Sequence, residues 1–285
     1  MPFTHLALAL AVVAVWGTNF VVIKWGLAEL PPFLLATLRF GLSSLPFMLF
    51  IRRPATPWWR LVAFGVLLGA GQFGLLFLAM KADISPGLAS LVVQAQVFIT
   101  IVMAGQRVKP LQLGAFGLAL AGMGWIGWQA HLGGAGISLL GMGLVLSAAL
   151  CWSVANLVAR GAGKVDALGF MVWSSLFALP PLLLMTIVFE GGAEHLVTVA
   201  SAASVAAWAT VAWQAVGNTL FGYGAWNWLL ARHPPATVTP AALLVPVFGM
   251  GASAIVFGES LPAWKLGAAG LVMAGLALNL WAASR

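Results

Sequence analysis

Amide and indole side chains recur at helical spacing inside the long apolar runs of this 285-residue chain. Trp16, Asn19, Phe20 and Ile23 follow an i, i+3, i+4, i+7 stripe, and Trp152, Ser153 and Asn156 share a helical face. Ser90, Gln94 and Phe98 form one row, with Gln96 and Thr100 in another. Gln72 with Phe77, and Trp173 with Ser174, add two further positions. The richest run holds Gln214 and Asn218 four apart, then Tyr223 and Trp226. Such groups can bind a small zwitterion without a fixed charge. Amides and helix termini donate to its carboxylate, while amide oxygens or an aromatic face accept its ammonium. The candidate substrate-binding residues are therefore Trp16, Asn19, Gln72, Phe77, Gln94, Phe98, Trp152, Asn156, Trp173, Gln214, Asn218, Tyr223 and Trp226. Each amide has a second reading, because amides also hydrogen-bond one membrane helix to another for about 0.6 kcal/mol.

The elements that hold these residues must live in lipid. The chain is 62% hydrophobic and 7% charged, with a mean hydropathy of +1.04. Soluble domains carry about 25% charged residues. The fold class is all-α, a polytopic membrane protein, since no period-2 segments of a barrel are present. Ten apolar runs approach the ~20 residues a spanning helix needs: 4–28, 33–51, 60–80, 86–105, 110–129, 136–160, 168–189, 203–230, 236–257 and 262–283. The first is expected to stay as a helix, because no basic residue precedes its apolar core as in a signal peptide.

The net charge of +7 does not point to nucleic acid, because the bases are scattered between apolar runs. With a cytoplasmic N-terminus, the inner joints hold Arg52, Arg53, Arg60, Arg107, Lys109, Arg160, Lys164 and Arg232, with Arg285 at the tail. The outer joints hold Lys24, Lys81 and Lys265, which predicts both termini in the cytoplasm of a bacterial inner membrane. Trp25, Trp58, Trp59, Trp264 and Trp281 fall near span ends as interfacial anchors.

The chain also repeats itself. LGAFGLALAGMGWIGW (113–128) matches LGAAGLVMAGLALNLW (266–281) at eight of sixteen positions. Trp16 to Lys24 echoes Trp152 to Arg160, and PGLASLVVQAQVF echoes PATVTPAALLVPV. Residues 1–131 and 132–285 then hold five spans each, and an odd number makes the second half cross upside down. Inverted repeats typify secondary transporters, with sites near the midplane between the halves. The cavity is expected among helices 1, 3, 4, 6, 8 and 9.

The charged residues narrow the chemistry. Glu29, Asp83, Asp166, Glu190, Glu194 and Glu259 fall at or beyond span ends, so no intramembrane acid is available as a proton relay. Arg39 is the exception, lying well inside the second span. It snorkels outward, pairs with Glu29, or serves a substrate carboxylate. H-E-x-x-H, G-x-S-x-G and P-loop motifs are absent, so an enzyme is not expected, nor any cofactor or metal. Cys151 reads as a small buried hydrophobe.

WGTNFVVIKWGL, LATLRF, PGLASLVVQAQVF, LLVPVFG and GESL followed by LGAAGLVMAGL resemble the EamA family of the drug/metabolite transporter superfamily. The similarity spans essentially the whole chain and points to bacterial amino-acid and cysteine-metabolite exporters. It implies a ten-helix, two-repeat carrier that exports small metabolites by alternating access. The alternative it leaves open is a broad exporter of drugs or quaternary amines. One departure stands out: the family's Gly-Glu-x-Leu occurs at 258–261, while the first half reads Gly105-Gln106-Arg107-Val108.

Overall fold

A computed structural model describes residues 2–82, 84–105, 110–132, 138–163, 165–233, 238, 241–242 and 244–284. Arg107, Lys109, Lys164, Arg285, Gln106 and Asp83 lie outside the described residues. The secondary structure described is helical throughout: α1 Phe3–Glu29, α2 Pro32–Ser44, α3 Trp58–Val66, α4 Leu75–Ala82, α5 Pro86–Val92, α6 Ala95–Met103 and α7 Pro110–His131. The second half holds α8 Leu139–Gly161, α9 Ala167–Phe189, α10 Gly192–Ala202, α11 Val205–Ala212, α12 Gly224–Arg232, α13 Leu244–Phe257 and α14 Ala263–Ser284. Wider π-helical turns, Leu67–Gly74 and Trp213–Tyr223, join α3 to α4 and α11 to α12 without a break. Among the described residues, eight helical stretches are long and apolar enough to cross a membrane, or nine if the bent pair α10 and 205–226 is one span. Helix α13 is apolar but shorter.

Successive spans run antiparallel, as contacts between their ends show. At one end, His5 Nδ1 meets His233 Nε2 at 2.6 Å, and Arg60 packs against Gly161. Arg52, Arg53, Arg160 and Arg232 lie at this arginine end. At the opposite end, Lys81 Nζ donates to the Leu27 carbonyl at 2.6 Å, and Glu29 and Ser204 pair. Glu190, Glu194 and Glu259 also lie at this glutamate end.

The acids work as helix caps. Glu190 accepts the N–H groups of Phe33 and Leu34 at the start of α2, at 2.6 and 2.9 Å. Glu29 takes Ser204, the N-cap of α11, and Asp166 takes the first N–H groups of α9. A carboxylate there satisfies orphan donors and meets the positive end of the helix dipole.

Large apolar side chains cover the outside; Ile255 is 85% exposed. In lipid this surface needs no partner. Trp25, Trp58, Trp59 and Trp281 are about half exposed near helix ends, where indoles anchor at the membrane interface. Inside, α1 packs on α13, α2 on α9, α8 on α6 and on the π turns of 67–74, and α7 on α14. The last pair comes closest through reciprocal glycines. A Cβ on Gly122 would lie 2.7 Å from the Ala268 carbonyl, and one on Gly275 would lie 2.6 Å from that of Ala115.

The structure differs from the sequence reading at two elements. Residues 192–202 fold as α10, bent 103° from the span that follows, where the sequence predicts only a joint. Gly191, at φ 94°, allows the turn into this helix. The 86–105 run breaks at Val93–Gln94 into α5 and α6.

Candidate functional site

The bundle encloses a cavity of about 480 Å³, a size that suits a small organic solute. Nine of the thirteen candidates line it: Trp16, Asn19, Gln72, Gln94, Trp152, Asn156, Asn218, Tyr223 and Trp226. They come from five spans, so only the assembled bundle joins them. Trp16 forms an aromatic corner with Tyr223 and Trp226, each ring centroid 5.2 Å away. Gln94 sits in the break between α5 and α6 and donates from Nε2 to the Ala242 carbonyl at 3.2 Å. That carbonyl lies two residues before α13, so the break in the fourth span meets the approach to that helix at the cavity wall. Asn156 Nδ2 donates to Gln96 Oε1 at 3.1 Å, and Ser153 Oγ donates to the Gln96 carbonyl at 3.0 Å.

Four candidates lie off the wall. Phe77 is fully buried behind Phe73 and packs edge-on against it. Phe98 packs edge-on against Phe116, joining α6 to α7. Trp173 donates from Nε1 to the Ile51 carbonyl at 3.0 Å and packs edge-on against Trp58, near the arginine end. Gln214 is fully buried one layer back, where its Oε1 accepts from Asn19 and from Arg39. Gln96 and Thr100, which the sequence placed in a second row, reach the cavity. Gln112 and Asn279 also line it, joined by a 3.1 Å hydrogen bond from Gln112 Nε2. Their place near helix ends hid them, because a polar residue there reads as interfacial.

The wall is uncharged: among the described residues no acid or base lines the cavity. Its polar atoms are only partly satisfied. Trp16 Nε1, Asn19 Oδ1, Gln72 Oε1 and Thr100 Oγ1 are buried without a hydrogen-bond partner in the protein. Buried polar groups are normally paired, so one donor and three oxygen atoms are left unsatisfied among the residues that form the wall.

Arg39 neither snorkels nor meets Glu29. It is fully buried, donating from Nε to Thr219 at 3.0 Å, from Nη1 to Gln214 at 3.0 Å and from Nη2 to Asn218 at 2.9 Å. Its guanidinium lies 3.6 Å from the Phe73 ring centroid. The π turns make this possible. A residue five positions on returns to the same face, so Thr219 joins Gln214 and Asn218 toward α2, and the Thr219 hydroxyl donates to the Gln214 carbonyl.

The cavity extends toward the arginine end, since Thr100, Gln112, Trp226 and Asn279 all fall in the last turns on that side. The glutamate end is cross-linked by polar contacts. Glu259 receives Lys265 Nζ at 2.7 Å, the hydroxyls of Ser85 and Ser253, and the Gly87 N–H at 3.3 Å. These bonds fasten the start of α5 to the joint between α13 and α14. Burial pushes the Glu259 carboxyl up, but the bonds from Lys265, Ser253 and Ser85 outweigh it and hold it below the ordinary value. At Glu190 burial prevails over the two backbone donors, and its carboxyl is raised.

Comparison with known proteins fits this architecture. The EamA-like transporter family matches residues 4–128 and again 139–281. A probable amino-acid metabolite efflux pump of Salmonella typhimurium is 38% identical over 282 residues, covering 96% of this chain and 94% of the relative. A protein of the same description from Escherichia coli strain K12 is 35% identical over 285 residues, with 96% and 94% coverage. A solved structure only 18% identical shares the fold, with a TM-score of 0.63 over 100% of this chain and 99% of its own. An uncharged cavity inside a bundle of apolar helices and two family matches in tandem lead to one conclusion: the chain belongs to the EamA-like transporter family, and is a transporter rather than an enzyme.

Proposed function

We propose that the protein exports amino acids or related small metabolites from the cytoplasm by alternating access through the central cavity. The observation that carries this reading is the wall itself, apolar and aromatic with unpartnered donor and acceptor atoms and no fixed charge. A zwitterion finds both kinds of partner there. Two relatives described as probable amino-acid metabolite efflux pumps support the substrate class. In this reading Trp16, Asn19, Gln72, Gln94, Trp152, Asn156, Asn218, Tyr223 and Trp226 contact the substrate. The absence of an acid on the described wall favours a facilitator and counts against an exporter of quaternary amines.

The two halves, 1–131 and 132–285, act as inverted five-helix repeats that rock around the cavity. Three observations support the repeat. The family matches twice, once in each half. Gly122 against Ala268 is the counterpart of Gly275 against Ala115 when 113–128 is laid over 266–281. The π turns fall in the third span and in its expected equivalent, the eighth. Counting α13 as the core of a span and α10 as a surface helix gives ten spans. In this reading the arginine end lies in the cytoplasm of a bacterial inner membrane, with both termini on that side, and the bias of the basic residues supports it. The cavity would then face the cytoplasm, with the outer end latched by Glu259.

The test is counterflow in proteoliposomes with labelled amino acids, with and without a proton gradient. Uptake of some amino acids without a gradient is expected. Uptake of none would overturn the substrate class, and strict dependence on the gradient would overturn the facilitator.

A further inference from the structure

Arg39 is a fully buried cation that no carboxylate faces among the described residues; its three acceptors are the neutral oxygens of Gln214, Asn218 and Thr219. Such acceptors satisfy its N–H groups but leave its charge uncancelled. A buried charge in a membrane is costly, and one kept without a counter-ion marks a functional site. Arg39 does not reach the cavity. Two of its neighbours, Asn218 and Phe73, form the wall in front of it.

A guanidinium only donates, so it dictates how the amides around it turn. The Asn218 oxygen must face Arg39, which aims its amino group away from the arginine, on the side of the cavity. The Gln214 oxygen also faces Arg39 and takes Asn19 Nδ2 at 3.2 Å. That leaves Asn19 Oδ1 unpartnered on the wall. One buried arginine thus sets a donor at Asn218 and an acceptor at Asn19, in a field that is positive behind Asn218.

We propose that Arg39 is a specificity-determining positioning residue that makes the cavity select solutes bearing a carboxylate, acting through Asn218 and Gln214 without touching the solute. The solute carboxylate lies at Asn218 and its ammonium at Asn19 and the indole of Trp16. This inference rests on the amino-acid exporter reading and adds the group that is recognised.

The decisive variant is Asn218→Asp. Aspartate keeps an oxygen for Arg39 and supplies its missing counter-ion, so the fold is retained, but the donor is gone and the field cancelled. Wild type, Asn218→Asp and Arg39→Gln are reconstituted, and counterflow of each labelled common amino acid is competed with its own carboxamide, which lacks only the carboxylate charge. Wild type should prefer the acid over the amide by about tenfold or more, the scale of one hydrogen bond to a charged group. Asn218→Asp should lose that preference while still melting cooperatively, and Arg39→Gln, where it folds, should lose it too. A wild type with no preference, an Asn218→Asp variant that keeps it, or an equal loss for acid and amide would overturn the role of Arg39. If wild type carries no amino acid at all, the exporter reading falls first and takes this inference with it.

Discussion

Glutamine at position 259 would unlatch the glutamate end. The Glu259 side chain is 11% exposed and that of Lys265 5%, so the pair is effectively dry. Removing one partner of a buried ion pair costs about 3–5 kcal/mol. Glutamine keeps one acceptor oxygen and Lys265 keeps the Ser260 carbonyl at 3.1 Å, which puts the cost near the lower bound. About 3 kcal/mol is roughly a hundredfold in an equilibrium constant. All of it falls on the closed state if opening separates α5 from the α13–α14 joint. Nitroxide labels at exposed Ser260 and at exposed Lys81, at the end of α4 that leads into α5, in a Cys151→Ser background, report the opening as a distance distribution. Wild type should show one dominant distance, and Glu259→Gln a second, longer population. The pH dependence has a defined sign. Because the Glu259 carboxyl is held below its ordinary value of 4.5, its contribution is complete above that value and is lost only as pH falls through the lowered folded value. The latch should therefore persist at pH 5. Identical distributions in wild type and Glu259→Gln, or opening of the wild type between pH 6 and 5, would refute the reasoning.

Two further outcomes follow from other parts of the structure. Gly122→Val should separate α7 from α14, because a Cβ there meets the Ala268 backbone 2.7 Å away, and a loss of about 2 kcal/mol or more is expected as for an overpacked core; a lower melting temperature in detergent checks it, and an unchanged one contradicts the packing. Trp16→Ala should cut transport at least about tenfold while the protein still inserts, since it removes both an aromatic corner and a free N–H; full activity would exclude that corner from the path.

Much of this architecture is legible from local rules, and the failures have a common cause. Apolar runs and breakers locate the spans because lipid enforces continuous apolarity, and the amphipathic α10 escapes that rule. The stripe of Trp16 and Asn19 points to the cavity because an α-helix fixes which residues share a face. Gln214 follows a different rule. Its stretch is π-helical, and the wider turn points it at Arg39, one layer behind the wall. Arg39 reads as a charge inside the second span that snorkels, pairs with Glu29 or serves a substrate carboxylate, until the amides of a helix some 175 residues away in sequence are seen to enclose it. Trp173 reads as central by span count, yet its indole N–H is used by the Ile51 carbonyl, a partner that only the packing of α9 against the joint between α2 and α3 supplies. Glu259 is read correctly as terminal, but its four donors come from both halves of the chain.

The central claim is that amino acids occupy the uncharged cavity. Thr100, whose hydroxyl is unpartnered on that wall, can be replaced by cysteine in the Cys151→Ser background and its rate of modification by a membrane-impermeant thiol reagent measured from the arginine end. An amino acid that undergoes counterflow should slow the reaction, with half-protection at its half-saturating concentration for transport. Unaltered labelling at saturating amino acid would contradict the account.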